Sequence, residues 1–312
     1  MCHHGNTGAS YIWPPHCQIL NDNSYCSPPH ISNSGSYPPN SQKNFALMAN
    51  SPPAITGLLN GSVGFCRSSA AQGAGTIYVL STISTSSIEE VAEAAPNAIK
   101  WFQLYIYKDR NVTLNLVSRA ERAGFKALVL TVDAPLFGDR RLDIKNKFSL
   151  PSHLRLGNFE GELSTKINNA ESGSGLNEYV MSLFDASVTW NDIKWLKSIT
   201  KLPLVLKGIL TPQDALLAIE YGAAAIVVSN HGARQIDTIP ATIEALSEIT
   251  KAVNGRIEIY MDGGVRQGVD VLKALALGAK MVFVGRPMLW GCATVDDAAR
   301  DMIQHESYYS HL

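Results

Sequence analysis

The chain has 312 residues, with 26 Lys+Arg against 27 Asp+Glu and a formal net charge of −1. That balance excludes a strongly basic nucleic-acid-binding protein and an acidic tail protein. Charged residues make up 17% and hydrophobic residues 46%, a mixture that suits a large buried core; no run reaches the roughly 18 apolar residues of a membrane span. The length accommodates two average domains or one large α/β barrel.

The first stretch differs from the rest. Residues 1–53 hold eight of the 15 prolines and four of the eight histidines, with one acid, Asp22, and one base, Lys43. Proline removes backbone donors and Ser and Asn compete for the remaining ones, so residues 1–65 are predicted to be a tail without a packed core. Cys2, His3, His4, Cys17 and Cys26 lie in it without paired ligand spacing, so no metal site is expected. No charged and then apolar leader opens the chain, which argues against a secretory signal. Five cysteines, three of them in the tail, make no disulfide framework and fit a reducing compartment.

From Gly75 a regular beat sets in. Seven apolar or β-branched runs read as strands buried on both faces: Thr76–Ser81, Trp101–Ile106, Ala127–Asp133, Leu202–Gly208, Ala224–Asn230, Ile257–Gly263 and Met281–Arg286. Helix signals separate them. Ser86-Ser87 before Glu89-Glu90 opens one helix; Thr211, Pro212 and Asp214 start another that closes near Gly222; Val269–Leu277 precedes Gly278. Repeated strand–helix units of this spacing mean a parallel α/β protein.

In a barrel of this kind the C-terminal strand ends carry the chemistry. Here they supply Ser81, Gln103, Tyr105, Thr131, Asp133, Lys207, Ser229, His231, Arg234, Asp262, Arg266 and Arg286. Asp262-Gly263-Gly264-Val265-Arg266 and Gly285-Arg286 read as a phosphate cradle, with turns as the plainer alternative. Lys207 ends an apolar strand and faces an anion or electron-rich ligand, or else pairs with an acid such as Asp262. His231, three residues before Arg234, offers a base beside a carboxylate-binding cation, and Asp133 is placed to support its imidazolium.

The motifs SNHGARQ, QLYIYKD, LTVDAPLFGDRR, LKGIL, DGGVRQG and FVGRP resemble those of the FMN-dependent 2-hydroxyacid oxidases (glycolate oxidase/hydroxyacid oxidase), from about Gly75 to Gly291. The resemblance implies a TIM (β/α)8-type barrel that oxidises a small 2-hydroxy acid to the 2-keto acid with FMN while oxygen becomes hydrogen peroxide. It implies His231 as base, Asp133 as its stabiliser, Arg140 and Arg234 on the substrate carboxylate and Tyr105 on its hydroxyl or keto oxygen. Lys207 would lie beside the flavin ring. Ser81, Gln103, Thr131 and Ser229 would bond the ring and ribityl chain. Asp262, Gly263, Gly264, Val265, Arg266, Gly285 and Arg286 would take the ribityl hydroxyls and phosphate. A homo-oligomer is implied, with no nucleic-acid partner.

The family's opening segment and its Pro-Thr-Ala strand end are not found. The expected fold is therefore a barrel with seven recognisable strands whose first strand and last helix are missing or replaced. The expected organisation is a tail at 1–65, a barrel at 66–292 and a short tail at 293–312. Ile83 stands where many members carry a pocket tryptophan, which implies a different or looser substrate side-chain site. Ser310-His311-Leu312 resembles the peroxisomal S-K-L address. Two rival readings stay open: a non-catalytic FMN- or phosphate-binding relative, and an FMN-dependent dehydrogenase using a carrier protein as acceptor.

Overall fold

The structure, a computed structural model, describes residues 45–48, 63–165 and 174–288. Its strands are β1 (Phe45–Met48), β2 (Ile77–Ser81), β3 (Ile99–Leu104), β4 (Ala127–Thr131), β5 (Leu204–Ile209), β6 (Ala225–Val228), β7 (Glu258–Asp262) and β8 (Met281–Val284). Each pairs in parallel with the next, and β1 pairs with β8 through Phe45–Val282 and Leu47–Val284, closing the barrel. The TIM-barrel expectation therefore holds. One part of it is corrected: the place of the first strand is filled by Phe45–Met48, inside the stretch expected to be tail. Parallel pairing of β1 with both β2 and β8 removes the open edges that a seven-stranded sheet would leave. Residues 49–62 lie outside the described residues, as does the expected C-terminal tail at 293–312 with its tripeptide 310–312.

Helices cross over between the strands, and their starts follow local chemistry. In α2 (Ile88–Ala94), which follows α1 (Val63–Gly73), the Ser87 hydroxyl accepts from Glu90 N while Glu90 accepts from Ser87 N. After α3 (Arg110–Arg122), the β4–β5 connection carries the short α4 (Arg141–Lys145) and α5 (Glu162–Thr165), then α6 (Gly175–Leu183) and α7 (Trp190–Ile199). Thr211 caps α8 (Pro212–Glu220), whose proline sits in the first turn as predicted. The series ends with α9 (Thr242–Val253) and α10 (Gly268–Ala276).

Two apolar cores result. The larger lies between sheet and helices; the smaller fills the barrel interior with Val79, Trp101, Val129, Val205, Val227, Tyr260 and Phe283. Strand side chains alternate with a period of two. The next inward position after each of these seven is therefore Ser81, Gln103, Thr131, Lys207, Ser229, Asp262 and Gly285. A polar layer thus sits on an apolar plug, at the C-terminal end of the strands.

Candidate active site

The polar layer is wired before any ligand arrives. Ser81 Oγ and the Thr82 N–H both donate to Gln103 Oε1 at 3.2 Å, and Gln103 Nε2 donates to Thr131 Oγ1 at 2.9 Å. Asn158, buried in the β4–β5 connection, donates to the carbonyls of Ser81 and Thr82 at 3.3 and 2.9 Å and accepts from Ile88 N at 2.9 Å. The end of β2 is thereby fixed from two sides. Thr82 and Asn158 were missed in the sequence, because their partners lie up to 77 positions away.

Lys207 is 1% exposed and stands between two carboxylates, 3.8 Å from Asp133 Oδ2 and 3.8 Å from Asp262 Oδ2. Its Nζ makes no hydrogen bond, and neither do Asp133 Oδ2 and Asp262 Oδ1. The pairing with Asp262 is thus present as the second sequence reading expected, and the Lys207 Nζ donors stay without a hydrogen-bond partner. His231 Nδ1 lies 2.7 Å from Asp133 Oδ1. Burial, then the Lys207 cation, push the imidazole down to about 4 against the opposing pull of Asp133. Burial pushes the Asp133 carboxyl up, but Lys207 and His231 outweigh it and hold it below its usual range. At neutral pH the pair is a neutral imidazole on an ionised carboxylate, with Nδ1–H donating and Nε2 left as the acceptor.

The backbone that presents His231 is strained. His231, Gly232 and Ala233 all have positive φ, at 57°, 67° and 58°, a run costly for two non-glycine residues. Three contacts hold it. His231 N donates to Ser229 Oγ at 3.1 Å, Arg234 Nε to His231 O at 3.1 Å, and Arg286 Nη2 to Gly232 O at 2.7 Å. The phosphate-side arginine is thus tied to the histidine loop. Gly208 is required beside it: with φ at +110°, a Cβ there would lie 2.6 Å from Asp133 Cβ.

Arg140 and Tyr105 complete the convergence. Arg140 stacks over the Phe137 ring at 3.7 Å and leaves Nε and Nη2 without hydrogen-bond partners. Burial and the neighbouring Arg234 lower its pKa to about 10. Tyr105 stacks on Phe184 at 4.4 Å between ring centroids, and burial, then the Asp133 charge, raise its phenol far above the ordinary value. Ile83 is 6% exposed and joins the outer core. Among the described residues, no group of three or more His, Cys, Asp or Glu is placed to hold a metal ion.

Lys207, His231, Arg234 and Asp262 line one cleft with Gly263, Gly264, Val265, Arg266, Gly285 and Arg286. Gly263 and Gly264 have φ of 90° and 79°, and a Cβ at Gly264 would meet nothing within 4 Å. Backbone donors and two arginines around open space suit a phosphate; buried unpaired donors on Lys207 suit an electron-rich ring. The donor set therefore fits a flavin mononucleotide.

Residues 46–304 match the model of the FMN-dependent dehydrogenases. The chain belongs to that family. It is 58% identical over 236 residues to glycolate oxidase 3 of Arabidopsis thaliana, covering 75% of this chain and 64% of the relative. It is 56% identical to 2-hydroxyacid oxidase 1 of Homo sapiens, covering 72% and 61%. A crystal structure of mandelate oxidase with (S)-4-hydroxymandelic acid superposes with a TM-score of 0.78 at 39% identity, covering 85% of this chain and 74% of that one. The chain thus spans slightly less than two thirds of the length of these curated relatives.

Proposed function

We propose that this FMN-dependent dehydrogenase-family chain oxidises a small 2-hydroxy acid to the 2-keto acid and passes the electrons to oxygen, giving hydrogen peroxide. The observation that carries the reading is the buried, neutral His231 held 2.7 Å from an ionised Asp133, beside two arginines and above the polar layer. Ser81, Gln103, Thr131, Lys207, Ser229 and the 262–266 and 285–286 segments would hold FMN, which would supply the two-electron acceptor.

The chain's own residues do the rest. Arg140 and Arg234 take the substrate carboxylate, the free Nε and Nη2 of Arg140 finding an acceptor there. Tyr105 keeps its proton at neutral pH and donates to the 2-oxygen. His231 Nε2 accepts the hydroxyl proton, and Asp133 stabilises the imidazolium that forms. Lys207 would supply a buried positive charge to the electron-accepting group that the site holds.

The purified chain, supplied with FMN, is expected to show flavin absorption and to form peroxide from glycolate or lactate. His231→Ala is expected to keep FMN and lose turnover by about 10²–10⁴-fold. Failure to bind added FMN, or full turnover in that variant, would overturn the proposal. Dye reduction without peroxide would replace oxygen by a carrier as acceptor.

A further inference from the structure

The SNHGARQ motif ends in Gln235, to which neither the chemistry above nor the cleft gives a task. Its side chain is engaged at both ends. Nε2 donates to Asp133 O at 3.0 Å and to Leu136 O at 2.7 Å, while Oε1 accepts from Gly138 N at 3.0 Å. Two carbonyls on one end and an N–H on the other fix the amide's orientation. One side chain from the loop after β6 therefore satisfies three backbone groups of the loop after β4. The contact continues through the backbone, since a Cβ on Gly138 would lie 2.0 Å from Arg234 O.

Apart from Gln235, the β4 loop is held at its start, by Val132 N on Lys207 O and Asp133 on His231, and by Ala134 and Phe137 packed on the core. Residues 132–140 form no helix or strand, yet the loop begins at Asp133 and ends at Arg140. It places Arg140 near Arg234, two cations that repel each other; burial and that neighbour lower the Arg140 pKa to about 10. A loop carrying such a cation needs a clasp to stay in before an anion neutralises the pair.

We infer that Gln235 is a positioning residue that clasps the Asp133–Arg140 loop to the His231–Arg234 loop, and so preforms the two-arginine clamp for the substrate carboxylate. The inference rests on the 2-hydroxy acid reading, but its geometry is independent of cofactor and substrate.

Gln235→Met keeps the length and removes all three hydrogen bonds. In the FMN-loaded full chain, amide hydrogen exchange is expected to accelerate in peptides covering 134–147 and to stay unchanged in the barrel strands. FMN affinity should stay at the wild-type value. KM for glycolate should rise by about tenfold, the worth of one charge-assisted hydrogen bond to the carboxylate, with kcat changed far less. Gln235→Glu, which still accepts from Gly138 N but sets carboxylate oxygens against two carbonyls, should loosen the same peptides. Unchanged exchange at 134–147, an unchanged KM, or loosening throughout the barrel would each overturn the clasp. Absence of turnover in the wild-type chain would sink the oxidase reading alone, because the exchange measurement reads the clasp without substrate.

Discussion

Asp133→Asn tests the charge logic of the site most directly, since it changes one atom's identity and leaves the shape. The carboxylate lies 2.7 Å from His231 Nδ1, where a unit charge pair is worth about 6 kcal/mol at an effective dielectric of about 20. A charge-assisted hydrogen bond is worth about 1.5–3 kcal/mol net. The loss on substitution falls between these figures, because the amide oxygen can still accept from Nδ1–H. In the variant, moreover, a developing imidazolium faces Lys207 without the carboxylate that now stands 3.8 Å from that lysine. A loss of about 3 kcal/mol corresponds to about 10²-fold slower proton abstraction. Anaerobic stopped-flow mixing of FMN-loaded protein with glycolate, followed by flavin bleaching, reads that step. FMN affinity should change little, because Asp262 still pairs with Lys207. Bleaching within about threefold of wild type, well under the one decade that about 1.4 kcal/mol represents, would refute the assignment of Asp133.

Three further outcomes follow from the same geometry. kcat/KM should hold down to mildly acidic pH and fall as pH drops through about 4, where His231 takes a proton; an acid limb near the ordinary 6.5 would contradict its burial beside Lys207. Gly208→Ala forces a side chain onto a φ of +110° and against Asp133 Cβ at 2.6 Å; a loss of about 1–3 kcal/mol in thermal or denaturant unfolding is expected, and an unchanged melting temperature would show that the loop yields freely. Arg234→Lys should raise KM, because a lysine cannot reproduce the planar fork that bonds His231 O at 3.1 Å through Nε while facing a carboxylate; an unchanged KM would remove Arg234 from the clamp.

Period-two alternation made the inward layer legible. Val79, Trp101, Val129, Val205, Val227, Tyr260 and Phe283 fill the barrel interior, and Ser81, Gln103, Thr131, Lys207, Ser229 and Asp262 each lie two positions beyond one of them. Strand β1, Phe-Ala-Leu-Met, escaped because it lies between prolines, without a helix signal before it to set the strand–helix beat. Its place comes from pairing with β8, more than 230 positions away. Gln235, Asn158 and Thr82 escaped for a related reason: their partners are backbone groups brought near only by the closed barrel. Long-range hydrogen bonds leave no spacing to read.

The charge distribution then takes on a meaning that the net value of −1 conceals. Lys207, Arg140, Arg234, Arg266 and Arg286 gather at one end of the barrel against Asp133 and Asp262. With His231 neutral, the cations exceed the carboxylates by three. A phosphate monoester carries about −1.5 to −2 at neutral pH, and a hydroxy acid brings one further carboxylate charge. The surplus therefore matches one cofactor phosphate and one substrate carboxylate. Burial lowers the pKa of Arg140, Arg234 and Arg286 alike. Holding them there requires fixed backbone, and the structure supplies it through Arg286 on Gly232 O, Arg234 on His231 O and Gln235 across the two loops.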